Sequence, residues 1–562
     1  MKVAVLQQNL VVGDVAGNAR RIQAGYGAAL EAGAELVVSS ELSLLGYPPL
    51  DLLQRQDVID QQLAALDELA ATSSVPLVVG FAERNPEPTG KPLFNAAAVL
   101  AGGRLAAVRR KALLPTYDVF DERRYFEPYT KPQGAVSVNG YRLGLLICED
   151  IWSGLELPAH RKLYRDDPVA GLAGRRLDAV LVINGSPYWW GKGGVRLDLA
   201  ADVARRLEAP VVYSNQVGGN DELVFDGRSF AVDAHGAPIG AAKPFAEQTL
   251  LVDLEYAAHV SWASDGGNLA DVEAAFVLGL RDYLDKVAAF PGGAVLALSG
   301  GIDSALVACL GAEALGADSM LAVTMPSRFS SPAGVEDART LAANLGLELR
   351  TIPIDGLYRA FQSALEPELG WVDPPQVTEE NIQSRIRGAI VMAIANRERR
   401  IVLGTGNKSE LAMGYCTLYG DMAAGLGVIS DLPKTLVHQL AGFVNRRRPV
   451  IPERVLAKPP SAELRPGQRD TDSLPPYEQL DPILHAYIEE EQSPEKLASA
   501  GFDPVLVAQV VGTVERMEFK RRQMAPGLKV TSKAFGSGRR LPIAAQVRLQ
   551  PTSVGVPPNR AS

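Results

Sequence analysis

Residues 294–306 read Ala294-Val-Leu-Ala-Leu-Ser-Gly-Gly-Ile-Asp-Ser-Ala-Leu306. The apolar run 294–298 predicts a strand. Ser299-Gly-Gly-Ile-Asp-Ser304 then makes a glycine-permissive turn, and a helix starts at 303–306. Such a turn aims backbone N–H groups and a helix N-terminus at a phosphate. Gly300 and Gly301 allow close backbone approach, and Ser299 and Ser304 add hydroxyl donors. Asp303 stands where a Mg²⁺ shared with phosphates would sit. The motif has no lysine, so it is not the loop that holds a transferable γ-phosphate.

Outward from this stretch, strands are predicted at 321–325, 347–353 and 400–404, with helices at 271–290, 334–345 and 378–397. Repeated βα units point to an α/β fold with a mostly parallel sheet covered by helices on both faces. The stretch 458–476, rich in Pro, Asp and Ser, suits a surface loop or lid. Towards the N-terminus, apolar runs at 3–7, 36–40, 75–81, 143–148, 179–183 and 210–214 alternate with helical periodicity at 18–32 and 58–71. The segment 96–109, turned at Gly102-Gly103, brings antiparallel strands into this half. A Gly/Ser/Asp-rich stretch at 264–268 separates the halves. The expected division is one domain over 1–262, a second over 270–550, and a flexible tail over 551–562.

With 562 residues, 47% of them hydrophobic, 22% charged, and a net charge of −9, the composition is that of a soluble globular protein. The acidic balance argues against nucleic acid as a partner. No apolar run approaches the roughly 18–20 residues that span a membrane. Cys148, Cys309 and Cys416, three in so long a chain, imply no disulfide framework and a cytoplasmic location.

Cys148 closes the run Leu143-Gly-Leu-Leu-Ile147 and precedes Glu149-Asp150. Taken alone, it reads equally well as a small buried hydrophobe. Glu41 follows the strand at 36–40, and Lys111 follows the hairpin and precedes Ala112-Leu-Leu-Pro-Thr-Tyr-Asp-Val-Phe-Asp-Glu122. A carboxylate can take the thiol proton, and a fixed ammonium can stabilise the oxyanion of a tetrahedral intermediate. A Cys–His pair stays open, because partners can be remote. None of the five histidines (His160, His235, His259, His438, His485) lies in a comparably rich segment.

In order and context, Glu41, Lys111 and Cys148 resemble the triad of the nitrilase superfamily. The resemblance implies an αββα sandwich, with Glu41 as base, Lys111 as electrophile and Cys148 as nucleophile. It implies glutamine as substrate, with Tyr117, Ser186 and Lys192 at its amino-acid end. Glu149 would orient Lys111 or the substrate. The family's Phe-Pro-Glu is Ser39-Ser40-Glu41 in this sequence.

The Ser299–Ser304 loop resembles that of the ATP pyrophosphatases, whose doubly wound sheet is of the adenine-nucleotide α-hydrolase type. Together with Met325-Pro-Ser-Arg328, Thr378-Glu-Glu-Asn-Ile-Gln-Ser-Arg-Ile-Arg-Gly388 and Arg400-Ile-Val-Leu-Gly-Thr-Gly-Asn-Lys-Ser-Glu-Leu411, it is similar to the NAD synthetases. Glu518-Phe-Lys-Arg-Arg-Gln523 and Thr531-Ser-Lys-Ala-Phe-Gly536 match as well. Nearly the whole chain therefore resembles a nitrilase-type glutaminase fused to an NAD synthetase.

That resemblance implies ATP at Ser299, Gly300, Gly301, Asp303, Ser304, Met325 and Thr405. Deamido-NAD would meet Asn381, Glu410, and Lys520 or Lys533, with Mg²⁺ on Asp303 and Glu410. It further implies a tunnel for ammonia between the domains and a homo-oligomer, a dimer or an octamer. One rival is another glutamine-dependent ligase of the ATP pyrophosphatase type. Another is an amidase whose second half binds nucleotide only as a regulator.

Overall fold

The computed structural model describes residues 1–154, 156–157, 161–256, 258–262 and 268–545. His160, most of the 264–268 stretch, and the 551–562 tail lie outside the described residues. The chain separates into two compact units, Met1–Asp271 and Val272–Ser562.

Strands in the first unit carry apolar side chains on both faces, so both faces must be covered. In Lys2–Gln7, Val3 and Val5 point into one core while Ala4 and Leu6 point into another. Ala179–Asn184 repeats the pattern: Ala179, Leu181 and Ile183 share the core of Val3 and Val5, while Val180 and Val182 face a third core. The shared core is the interior of a sandwich of two six-stranded sheets. One sheet runs Gln248–Asp253, Lys2–Gln7, Leu36–Val38, Leu77–Arg84, Leu93–Ala101, Arg104–Arg110. The other runs Pro238–Ala241, Phe230–Val232, Val211–Asn215, Ala179–Asn184, Tyr141–Ile147, Val136–Val138. Helices Val15–Glu31 and Gln56–Thr72 cover the first sheet, and Lys192–Leu207 covers the second. The order of layers is αββα.

The second unit holds a five-stranded sheet, all parallel, in the order Glu348–Thr351, Met320–Thr324, Ala294–Ala297, Ile401–Gly404, Leu426–Gly427. Chain order therefore reverses between Ala294–Ala297 and Ile401–Gly404. At that reversal the connections leave to opposite faces and open a crevice beyond the strand ends. The helix Ile302–Leu315 follows the first strand, and Val377–Glu398 packs on the sheet through Ile382, Ile386 and Val391. Lys408–Met413, Tyr477–Leu484 and Pro504–Arg516 form a further helical core.

Several elements escaped the sequence reading, and two of them show why. Asp355–Leu369 is a helix whose only fully buried residue is Tyr358, so its apolar face is poorly marked. Val217–Asn220 and Leu223–Asp226 form a hairpin that carries Gly218 and Gly219 in place of strand-forming residues. Among the described residues, no helix is long and apolar enough to cross a membrane.

The turn after Ala294–Ala297 shows why its glycine is needed. Gly300 has φ +80°, and a Cβ there would lie 2.2 Å from the Gly334 carbonyl oxygen. Left-handed backbone and a backbone clash coincide. Gly300→Ala is expected to cost the second unit about 2–3 kcal/mol. Chemical unfolding checks it.

Candidate active sites

Lys111 directly follows the hairpin strand Arg104–Arg110 and is wholly buried. Its Nζ donates to Glu41 Oε1 at 2.6 Å and to both oxygens of Glu122, at 2.8 and 2.9 Å. Glu41 follows Leu36–Val38 and is also wholly buried. Asn95 Nδ2 donates to its Oε1 at 2.7 Å, and the Gly185 N–H donates to its Oε2 at 2.8 Å. Tyr47 donates to Glu122 Oε1 at 2.8 Å. Burial alone would strip Lys111 of its charge, but Glu122 and Glu41 hold the ammonium well above the usual lysine range. Burial raises Glu122 to about 7, against the pull of Lys111.

Cys148 stands at the end of Tyr141–Ile147, at φ +45°, a left-handed conformation unusual for a residue with a side chain. Asp150 fixes this turn. One of its oxygens accepts the Ile147 N–H at 3.0 Å, and the other accepts the Ala112 and Leu113 N–H groups, each at 3.0 Å. The segment that follows Lys111 is thereby clamped to the cysteine turn. Burial and the Glu41 charge push the Cys148 thiol well up, so it rests protonated, and Lys111 pulls the other way.

Beside this centre, Tyr117 donates to Glu149 at 3.0 Å and Tyr164 donates to it at 2.7 Å. Lys192 Nζ donates to the Pro187 carbonyl at 2.8 Å and lies over the Phe120 and Trp152 rings. The Ser186 hydroxyl accepts from Arg196 Nε at 3.2 Å, and Arg196 is itself paired with Asp226 at 2.7 Å. Ser39 donates its hydroxyl to the Val78 carbonyl at 3.0 Å, so the serine that departs from Phe-Pro-Glu anchors the Glu41 strand.

In the second unit, a cleft of about 300 Å³ opens at the chain reversal. Ser299, Gly301, Asp303, Ser304, Thr405 and Glu410 line it. The Ser299 and Ser304 hydroxyls are 3.1 Å apart, and the Gly301 N–H donates to Ser299 Oγ at 3.2 Å. Lys434 Nζ donates to Asp303 Oδ2 at 2.5 Å and to Glu410 Oε1 at 3.4 Å. Asn407 Nδ2 donates to Asp303 Oδ1 at 3.1 Å. Burial raises Glu410 to about 8, with Lys434 acting against it and Asp303 with it. The 458–476 stretch supplies Lys458, Ala462 and Asp470 to the cleft wall. Met325 lines a smaller cleft of about 100 Å³, which Ser299 also lines.

Gly300 supports the turn from behind, and Asn381, Lys520 and Lys533 are not brought into the cleft wall. Asn381 accepts from Thr417 Oγ1 at 2.6 Å. Lys520 Nζ donates to the Gly414 and Cys416 carbonyls at 2.7 and 2.9 Å. Lys533 pairs with Glu491. Lys408 donates to the Lys533 carbonyl at 2.9 Å, tying that segment to the helix that carries Glu410.

Two family models match: carbon-nitrogen hydrolase over residues 2–264 and NAD synthase over residues 272–524. The glutamine-dependent NAD(+) synthetase of Synechocystis sp. is 44% identical, over 96% of this chain and 98% of its own. The enzyme of the same name from Thermotoga maritima is 38% identical, over 97% and 98%. The structure of glutamine-dependent NAD+ synthetase from Acinetobacter baumannii in complex with ADP is 37% identical, with TM-score 0.73, covering 96% of this chain and 98% of that one. This chain belongs to the glutamine-dependent NAD(+) synthetases.

Sequence reasoning missed Glu122, Asn95 and Asp150 in the first unit of this synthetase, and Lys434 in the second. Asp150 adjoins the cysteine, and Glu122 closes the quoted segment after Lys111, so both were within sight. Asn95 and Lys434 carry no local pattern. Only the fold brings them to Glu41 and Asp303.

Because Glu122 is raised from the ordinary 4.5 to about 7, the folded chain holds a proton there that the unfolded chain has lost. The stabilisation is complete below the unfolded value and is lost as pH rises through 7. Glu122→Gln is expected to flatten the fall in stability between pH 5 and 8, by an amount on the order of 3 kcal/mol. Thermal unfolding of both proteins across that range checks it.

Proposed function

We propose that the first unit hydrolyses glutamine to ammonia and that the second uses the ammonia to convert deamido-NAD into NAD(+), with ATP cleaved to AMP and pyrophosphate. The observation that carries this reading is the dry Glu41–Lys111–Glu122 cluster beside Cys148, in one chain with the phosphate-binding turn Ser299–Ser304. The glutaminase domain is assigned to 1–262 and the synthetase domain to 270–550.

In the first reaction, Cys148 Sγ attacks the glutamine amide carbon while its proton passes to Glu41. Among the described residues, Glu41 is the carboxylate joined to both Lys111 and the Gly185 N–H, which supports its reading as the base. The developing oxyanion is stabilised by Lys111, whose ammonium Glu41 and Glu122 keep protonated. The C–N bond breaks, and ammonia departs with the proton from Glu41. Water then attacks the thioester carbon and gives a proton to Glu41, the C–S bond breaks, Cys148 takes that proton, and glutamate leaves. Tyr117, Ser186 and Lys192 hold the amino-acid end of the substrate, with Glu149 as the acceptor for Tyr117 and Tyr164.

In the second reaction, an oxygen of the nicotinate carboxylate attacks the α-phosphorus of ATP, and the bond to the bridging oxygen of pyrophosphate breaks. Ammonia attacks the acyl carbon, and AMP leaves. Ser299, Gly300, Gly301, Ser304, Met325 and Thr405 bind ATP. Asn381, Glu410, and Lys520 or Lys533 serve deamido-NAD. Lys533 is favoured over Lys520, because an ion pair with Glu491 can be exchanged for a substrate carboxylate, whereas Lys520 braces two carbonyls.

Asp303 and Glu410 converge on one ammonium, and this paired-carboxylate arrangement also suits Mg²⁺, which takes one or two carboxylates plus substrate phosphates. Bound there, Mg²⁺ would offset the charge of the departing pyrophosphate. All three cysteines are free thiols, which fits the cytoplasm. The reading extends to a homo-oligomer, dimeric or octameric.

NAD(+) formation from deamido-NAD, Mg-ATP and either glutamine or ammonium chloride tests the reading. Cys148→Ala is expected to lose at least 10³-fold of the glutamine-driven rate and to keep the ammonium-driven rate. Chelating Mg²⁺ is expected to abolish both. A wild type that forms no NAD(+) from either nitrogen source overturns the reading. Pyrophosphate release without deamido-NAD dependence would favour the other-ligase rival.

A further inference from the structure

Among the described residues, three cationic side chains line the large cleft: Arg387, Lys434 and Lys458. Lys434 is committed to Asp303 and Glu410, and Lys458 is paired with Glu463. Arg387 forms no ion pair among the described residues. Its Nε donates to the Met325 carbonyl at 3.1 Å. Burial pulls its pKa down to about 10, with Glu463 acting in the opposite direction, and that carboxylate is itself taken up by Ser331 and Lys458. Arg387 is half-buried, and with one neutral partner its guanidinium keeps N–H donors that an anion entering the cleft can take up.

Its position says which anion. Among the described residues, Arg387 is the one charged residue that lines both the large cleft, with Asp303 and Thr405, and the smaller cleft, with Met325. Ser299 of the phosphate-binding turn lies at the same junction. Given the proposed function, on which this inference rests, adenosine occupies the smaller cleft at the end of Met320–Thr324. Pyrophosphate meets Ser299–Ser304. The part of ATP that must cross the junction is the α-phosphoryl group. The bond to the Met325 carbonyl sets the guanidinium in one orientation, and its terminal nitrogens can address two phosphoryl oxygens at once.

We propose that Arg387 is a catalytic residue that contacts the α-phosphoryl oxygens of ATP during adenylyl transfer. The carboxylate oxygen bonds to the α-phosphorus while the bond to pyrophosphate breaks, the leaving group taking the electron pair, and no proton moves. In between, negative charge is spread over the equatorial oxygens, and Arg387 meets it without needing to reorganise. Lys434 and the Ser299–Ser304 turn serve the other end, where pyrophosphate departs.

The test follows ammonium-driven NAD(+) formation, so that the glutaminase plays no part, with wild type, Arg387→Ala and Arg387→Lys. Arg387→Ala is expected to lose about 100-fold in kcat, with part of the loss restored by added guanidinium ion. Arg387→Lys is expected to lose at least tenfold in kcat, because an ammonium cannot reproduce the fork, while its KM for deamido-NAD stays near that of wild type. A loss in Arg387→Ala below tenfold, or one that guanidinium leaves untouched, overturns the proposal and reduces Arg387 to a brace for Met325. If Arg387→Ala fails to fold, Arg387→Lys decides, and a wild-type kcat overturns the proposal. A wild type that makes no NAD(+) from ammonium sinks the proposed function instead.

Discussion

An ammonium sealed from water sets the terms for the first unit. Lys111 has no exposed surface, so its charge persists only because Glu41 and Glu122 surround it. Buried charges of this kind contribute little net stability, and removing one partner costs more than the pair ever returned. The cluster is therefore better understood as chemistry than as glue. Three strand ends and a short turn must all hold position for it to exist. The Asn95, Gly185 and Asp150 contacts are the supports that keep them there.

The second unit uses the same electrostatic device for a different purpose. Lys434 stands between Asp303 and Glu410 as Lys111 stands between Glu41 and Glu122. In each cluster burial raises one carboxyl towards neutrality, Glu122 to about 7 and Glu410 to about 8. The surroundings differ. The first cluster is closed and faces a nucleophile. The second lines an open cleft, where phosphates and a cation can enter and redistribute the charge. One arrangement supports attack on an amide, and the other supports departure of a polyanion.

Much of this was legible in the sequence because the deciding features are local. The apolar alternations that make the strands are short-range, as is the Ser299–Ser304 turn, and so are the contexts of Glu41, Lys111 and Cys148. The helix Asp355–Leu369 and the hairpin at 217–226 were not legible, because one buries too little and the other is built on glycines. Glu122 was within a quoted segment, yet nothing local distinguishes it from its acidic neighbour Asp121. Asn95 and Lys434 act on partners 54 and 131 residues away, separations that no periodicity can signal.

By itself the sequence determined the two kinds of unit, their order, and the residues that bring reactive atoms: a thiol after one strand, a carboxylate and an amine after two others, and a glycine turn before a helix. These follow from spacing and side-chain chemistry, which travel with the chain. Tertiary structure alone decided protonation and company. Which carboxyls are pushed towards neutrality, which lysine bridges Asp303 and Glu410, and which arginine remains without an ion pair at the junction of two clefts all depend on burial and on distant neighbours. Desolvation and Coulombic interaction act through space, and only the folded chain sets those distances.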